Sequence, residues 1–236
     1  MFEIEPIARI HTDFPQKFGI PRQSGLVDAL KAEVVFETPY RDAAALRGLE
    51  GYSHIWLIWQ FSESAGAGWS PTVRPPRLGG NRRMGVFATR SPFRPNPLGL
   101  SCVRLEGIEL DTPRGPVLHV AGADLMDGTP ILDIKPYLPH ADCHPEAAGG
   151  FSEAVRDYTL QVEFPEQYLR YIPEDRREAI IGVLAQDPRP GYRHGEGERR
   201  YGVAFAGFDV RFVVEQGVLR VTEVVPLEEG RNQGIQ

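Results

Sequence analysis

Tyr52-Ser-His-Ile-Trp-Leu-Ile-Trp-Gln-Phe61 is a nearly continuous apolar run in a chain otherwise cut into short pieces by 21 prolines and 25 glycines. Its length and aromatic content predict a strand, and its lack of alternation predicts burial on both faces. Such a strand needs cover on each side, which favours a closed barrel over an open sheet. Upstream, Phe2–Ile10 and Ala32–Glu37 read as strands, and Thr38–Leu46, with Ala43, Ala44 and Ala45, reads as a helix stopped by Gly48. Downstream, Met84–Ala88, Gly99–Leu110 (with room for a bulge), Pro116–Ala121 and Ile131–Tyr137 read as further strands. Turns are expected at Asp111–Gly115 and Asp124–Pro130.

Pro139–Gly150 reads as a linker. Beyond it come a strand over Tyr158–Phe164 and a helix that Pro173-Glu-Asp opens and that ends near Gln186. Three strands follow, over Tyr201–Ala206, Phe208–Glu215 and Val218–Val225, with a hairpin turn at Glu215-Gln-Gly217. The expected fold is therefore mainly β: an antiparallel β-barrel over residues 1–145 and a small α+β unit over residues 151–230.

The chain has 236 residues, and a hydrophobic fraction of 42% is enough for a real core. There is no run of 18 apolar residues and no signal-like N-terminus, so no membrane association is expected. Two cysteines, Cys102 and Cys143, are too few for a disulfide framework and suit a reducing cytoplasm. From Ser64 to Leu105 there is no Asp or Glu but there are seven arginines: Arg74, Arg77, Arg82, Arg83, Arg90, Arg94 and Arg104. That +7 segment sits in a chain of net charge −6, which points to an anionic partner. Guanidinium suits phosphate and carboxylate and stacks on bases. A solvated basic loop with structural prolines is the competing reading.

No Gly-x-Gly-x-x-Gly, Walker loop or His-Glu-x-x-His is present. His140-Ala-Asp-Cys-His144 is metal-like, but structural zinc sites usually draw ligands from two segments, so an ordinary polar loop is the better reading. Cys102 reads as a buried core thiol. Asp127-Gly128-Thr129 offers a carboxylate, free N–H groups and a hydroxyl at one turn, suited to a ribose diol or an amino group; an Asx turn is the structural alternative. Asp133, Lys135 and Tyr137, at period two, share one face lining solvent or a polar cleft. After the C-terminal helix, Arg189, Tyr192 and Arg193 suit stacking on a base and gripping phosphate, or else merely end the helix.

Several long stretches carry a family resemblance: Pro21-Arg-Gln-Ser-Gly-Leu26, Arg47-Gly-Leu-Glu50 with Ser53-His54, Pro71 to Asn81 with Trp69, Met84 to Ser91, Phe93 to Pro97, Asp127 to Pro130, Asp133 to Pro139, and Leu184 to Pro190. Together they resemble the TrmO family (TsaA-like or YaeB) of S-adenosylmethionine-dependent tRNA methyltransferases, over nearly the whole chain. The resemblance implies a β-barrel methyltransferase fold. It also implies methylation of N6 of N6-threonylcarbamoyladenosine at position 37 of threonine-type tRNAs, and a homodimer with the cofactor near the subunit interface. Implied cofactor contacts are Pro21, Arg22, Gln23, Ser62, Glu63, Arg90, Leu100, Leu125, Met126, Asp127, Gly128 and Thr129. Ser62-Glu63 stands where other members carry His-Gln.

On this map Arg22 or Arg90 pairs with the cofactor carboxylate, and Asp133, Asp127 or Tyr137 accepts the proton from N6. Arg74, Arg77, Arg82, Arg83, Arg94 and Lys135 face RNA phosphates or the threonyl carboxylate, while Arg189, Tyr192 and Arg193 hold the anticodon stem-loop. Two rival readings are a non-catalytic RNA-binding or regulatory module that uses the arginine-rich loops alone, and a metal-dependent hydrolase built on His140–His144.

Overall fold

The computed structural model describes residues 3–64, 66, 68–75, 82–155, 157–189 and 199–227. Six strands close into a barrel: β1 (Ala8–His11), β2 (Lys31–Phe36), β3 (His54–Gln60), β6 (Leu98–Glu109), β7 (Val117–Ala121) and β8 (Thr129–Pro136). Two short strands, β4 (Thr72–Val73) and β5 (Met84–Gly85), pair with each other outside the ring. The ring order is β1-β2-β7-β6-β3-β8, and every neighbouring pair is antiparallel. Direction therefore alternates around the ring. The connections after β1 (12–30), β3 (61–97) and β7 (122–128) all leave from one rim, while 37–53, 110–116 and the exit at Tyr137 leave from the other.

The interior follows strand alternation. Ala8, Ile10, Val34, Phe36, Ile55, Leu57, Val103, Leu118, Val120 and Ile131 fill it, each at or near complete burial. Each Val, Leu, Ile or Phe among them contributes about 1.5–3 kcal/mol of burial energy. The expected bulge in β6 is present, between Leu105 and Gly107 against β7.

The β3 expectation needs correction. Ile55, Leu57 and Trp59 are buried, but Trp56 and Ile58 are only half-buried. The barrel closes over one face of β3, and the other carries apolar residues with no complete layer above them. Thr38–Leu46 is not an α-helix but two 3-10 turns, Thr38–Tyr40 and Ala43–Leu46. Pro39 opens the first, and the Asp42 carboxylate caps the second through Ala44 N–H at 2.9 Å. Met84–Ala88 is β5 followed by a 3-10 turn. The expected linker, Pro139–Gly150, contains a short helix, α1 (Pro139–Asp142), and leads to a 3-10 segment at Gly150–Val155.

The C-terminal unit has β9 (Gln161–Glu163), β10 (Tyr201–Phe205), β11 (Phe208–Glu215) and β12 (Val218–Pro226) in the order β10-β11-β12-β9, with β9 parallel to β12. Two helices, α2 (Glu166–Leu169) and α3 (Glu174–Ala185), accompany it. α3 begins after Pro173 with two acids in its first turn and buries Ala179, Ile180, Val183 and Leu184. The hairpin at Gln216-Gly217 has both residues at positive φ (49° and 82°), as a two-residue turn matched to strand twist requires.

The second core is not confined to this unit. Phe14, Val27 and Leu30, from the connection after β1, pack with Ile180, Val203 and Phe205. Phe14 meets Phe205 edge-on at 5.3 Å, Ala206 N–H bonds Asp13 O at 2.9 Å, and Arg176 pairs with Asp13 at 2.7 Å. The 12–30 connection thus fixes the C-terminal unit to the barrel.

At Gly99 a Cβ would lie inside the contact distance of the Trp59 ring, which packs flat over it. Gly99→Ala is expected to destabilise by about 1–3 kcal/mol in urea denaturation, as overpacking does. Gly107→Ala on the same strand, where a Cβ meets nothing within 4 Å, should be close to neutral.

Candidate functional site

The rim that carries the connections after β1, β3 and β7 also carries most of the candidate cofactor residues. The Pro21–Gly25 turn is stitched to the barrel: Cys102 N–H donates to Ser24 Oγ at 3.1 Å, and Gly25 N–H donates to Gly122 O at 2.9 Å. Gly122 sits at φ 78° with the Gly25 backbone against it, so the approach needs a residue without a side chain. The Gln23 amide donates to Arg22 O at 2.5 Å and its Oε1 accepts from the Arg90 guanidinium. Residues 67 positions apart in sequence therefore meet. Ser62 and Glu63 lie exposed in a 3-10 turn just past β3, on the same rim. Leu100 is on the outer face of β6, 52% exposed. Leu125 is buried in the barrel core and acts as scaffold.

A group that sequence reasoning missed lies beneath this cluster. Trp59 Nε1–H donates to Ser101 Oγ at 3.0 Å, and Ser101 Oγ–H donates to Asp124 Oδ1 at 2.5 Å. Burial pushes the Asp124 carboxyl above the usual range, opposed by the Ser101 hydroxyl, its own backbone N–H, the Arg90 charge and the Ser24 N–H. In the sequence its only sign is an acid set between Ala123 and Leu125, both of which prove to be buried.

That Asp127–Thr129 turn does not offer the free groups expected of it. Its N–H donors are committed: Asp127 to Phe14 O at 2.9 Å, Gly128 to Ile10 O at 2.9 Å and Thr129 to Met126 O at 3.2 Å. The Thr129 hydroxyl donates to Met126 O at 2.7 Å, and the Asp127 carboxylate accepts from Thr12 N–H at 3.1 Å and meets His11 Nδ1 at 3.2 Å. The turn buttresses the chain leaving β1.

Asp133 and Tyr137 are separated along the outer face. Leu100, Ile58 and Asp133 form one row across β6, β3 and β8; the next row is Cys102, Trp56 and Lys135. Asp133 pairs with Lys135 at 2.8 Å. Tyr137 lies against His54 and Trp56 at the opposite rim, with ring centroids 6.2 and 5.7 Å away. Six residues of β3, or about 20 Å at strand rise, separate His54 from Gln60. Cys102 is correspondingly not a core thiol but half-buried on the outer face, and both cysteines are free. Burial, then the nearby Asp142 charge, raises the Cys102 thiol. In the metal-like segment the Asp142 carboxylate accepts from Leu138 N–H at 2.8 Å and from Trp56 Nε1–H at 3.0 Å, which lowers its pKa. Among the described residues no group of three or more His, Cys, Asp or Glu side chains could hold a metal ion.

The arginines divide by what they hold. Arg74 and Arg82 are exposed, and Arg83, also exposed, donates to Thr72 Oγ1 at 2.8 Å. Arg94 is half-buried and donates to the carbonyls of Thr89 (2.6 Å), Val86 (3.4 Å) and Ser91 (3.5 Å), with Phe87 alongside at 6.0 Å. It braces its own loop. Arg22 reaches Arg189 O at 3.3 Å, toward the C-terminal unit, so Arg90 is the better placed of the two for an anion at the rim. Arg189, expected on the anticodon stem-loop, is instead 7% exposed and clasps Asp187 with two parallel bonds of 2.8 and 2.9 Å. Arg77, Tyr192 and Arg193 lie outside the described residues.

The chain matches the models of the tRNA-methyltransferase O N-terminal domain over residues 9–143 and of the TrmO C-terminal domain over residues 157–227. An Escherichia coli protein described as a tRNA (adenine(37)-N6)-methyltransferase is 42% identical over 232 residues, covering 95% of this chain and 98% of the relative. A Pseudomonas aeruginosa protein described as a putative S-adenosylmethionine-dependent methyltransferase, RcsF, is 44% identical over 216 residues, covering 89% and 91%. The crystal structure of TrmO from Pseudomonas aeruginosa superposes with a TM-score of 0.75 at 36% identity, covering 95% of this chain and 99% of that one.

Burial works to raise the Asp187 carboxyl, but the Arg189 hydrogen bonds and charge, with the Tyr158 hydroxyl at 3.0 Å, outweigh it and the pKa is lowered. The contribution of the pair to stability is therefore complete above the ordinary carboxylate range and is lost as the pH falls through the lowered folded value. Arg189→Ala should cost about 3–5 kcal/mol at neutral pH by leaving a buried carboxylate unmatched. The gap to wild type should shrink in acid, as chemical denaturation at several pH values would show.

Proposed function

The chain belongs to the TrmO family, and we propose that it transfers the methyl group of S-adenosylmethionine to N6 of adenosine 37 of tRNA. The acceptor is proposed to be N6-threonylcarbamoyladenosine in threonine-type tRNAs. The observation that carries the reading is the meeting of Arg90 with Gln23 on a rim where three connections converge, next to the exposed Leu100.

The side chains there fit such a cofactor. Arg90 suits its carboxylate, the Gln23 amide suits polar edges, and Leu100 offers an apolar surface for adenine. When bound, the cofactor supplies an electrophilic methyl on a sulfonium, and positioning of the acceptor can supply much of the rate. Of the three candidate proton acceptors Asp133 is favoured. It shares a row with Leu100, whereas Asp127 is engaged by Thr12 and His11, and Tyr137 stands at the far rim. Arg74, Arg82 and Arg83, exposed around β4 and β5, are proposed to meet the anticodon stem-loop phosphates.

A homodimer is proposed through the outer face of β3 and β6, where Leu98 and Leu100 are 41% and 52% exposed beside Trp56 and Ile58. Apolar surface of that kind marks an interaction site. The proposed compartment is the cytoplasm; among the described residues no helix is long and apolar enough to cross a membrane.

Purified protein with a labelled methyl donor should label tRNA that carries threonylcarbamoyladenosine; failure to do so would refute the reading. Absence of S-adenosylmethionine uptake in calorimetry would favour a non-catalytic RNA binder instead. Asp133→Asn should lower kcat about 100-fold with donor affinity kept. Arg82→Ala should weaken tRNA binding and reduce its salt slope by about one unit. Leu100→Glu should give a monomer in light scattering.

A further inference from the structure

We propose that Phe87, backed by the Arg94 guanidinium, is a stacking platform for an unpaired nucleobase beside the acceptor adenosine in the anticodon loop. The inference rests on the reading that this chain acts on tRNA.

Local geometry turns the ring outward. Val86–Ala88 is a 3-10 turn, and at three residues per turn neighbouring side chains point about 120° apart. Val86 is buried, and Phe87 is 74% exposed. The turn is held closed: the Thr89 N–H and hydroxyl donate to Val86 O at 3.1 and 2.9 Å, and Val86 N–H donates to Pro71 O at 3.0 Å. Arg94 ties the carbonyls of Val86, Thr89 and Ser91 together and brings its guanidinium carbon to 6.0 Å from the Phe87 ring centroid. A cation at that distance steadies the ring by attraction to its face.

A single exposed apolar side chain needs no explanation, but this one has company. Ser70 N–H donates to Phe93 O at 3.2 Å, which sets exposed Trp69 and exposed Phe93 on the same lobe. The pairing of β4 with β5 joins that lobe to exposed Arg74, Arg82 and Arg83. Aromatic rings interleaved with guanidinium groups, in a segment without an acid from Ser64 to Leu105, match a single-stranded nucleic acid: phosphates meet the charges and bases meet the rings. A second copy of the chain matches less well, because a two-fold contact through this patch would set like charges against each other. Phe87 has no hydrogen-bonding group, so stacking on it is indifferent to base identity. It stands three residues from Arg90, at most about 11 Å along the chain, which puts the stacked base next to the one that is methylated.

Binding of an anticodon stem-loop that carries threonylcarbamoyladenosine, followed by fluorescence anisotropy, tests this. Phe87→Ala should raise the Kd about tenfold or more with the salt slope unchanged, because no phosphate contact is lost. Phe87→Leu should lose as much, and Phe87→Trp should stay within about threefold of wild type. Removing the base at one of the two positions that flank the acceptor should cost the wild type as much again and Phe87→Ala nothing further. An unaltered Kd in Phe87→Ala, or full affinity in Phe87→Leu, would overturn the inference while leaving the proposed methyl transfer intact. So would a smaller oligomer in light scattering of Phe87→Ala with RNA affinity kept, which would make the patch a contact between copies. Wild-type protein that binds no stem-loop would remove both. If Phe87→Ala does not fold, Phe87→Leu and Phe87→Trp decide.

Discussion

Closure of six strands into a ring with strictly alternating direction is the constraint on which the rest depends. A closed antiparallel ring satisfies every ladder hydrogen bond and leaves no edge. It also sorts the connections: those that follow an upward strand must open on the same rim. Residues 12–30, 61–97 and 122–128 are far apart in sequence, and strand direction alone brings their bases together. The site is therefore a consequence of topology before any side chain contributes to it.

The positive charge is distributed over that topology in two ways. Some guanidinium groups hold the protein itself: Arg94 draws three carbonyls of its loop together, and Arg189 closes on Asp187 inside the C-terminal unit. Others, such as Arg74 and Arg82, are left to solvent. An acid-free segment around them keeps their field from being cancelled locally, although the whole chain is acidic. Arg90 is intermediate, exposed yet tied to Gln23.

The connection after β1 has two duties. Its Pro21–Gly25 part forms a wall of the rim, and Phe14, Val27 and Leu30 enter the core of the C-terminal unit. Any movement of that unit would strain the turn that carries Gln23. This gives the C-terminal sheet a mechanical link to the rim.

Much of this was legible in the residues alone. Alternating strands, glycine-rich turns, the α3 start at Pro173-Glu-Asp and the Gln216-Gly217 hairpin follow from local stereochemistry, which acts over a few residues and is written in sequence order. The arginine-rich, acid-free segment and the motifs of the family are equally local. What tertiary structure decided is which polar groups remain available. The N–H groups of Asp127–Thr129 look free in sequence but are taken by Phe14 and Ile10, more than 100 residues earlier, and by Met126. Arg189 looks like an RNA contact but is buried on Asp187, and the apolar run of β3 turns one face outward. Asp124 passes as an ordinary turn residue until barrel closure sets the Ser101 hydroxyl, itself held by Trp59, against it. Local conformation depends on near neighbours, whereas the commitment of a donor or a charge depends on whatever chain closure brings beside it.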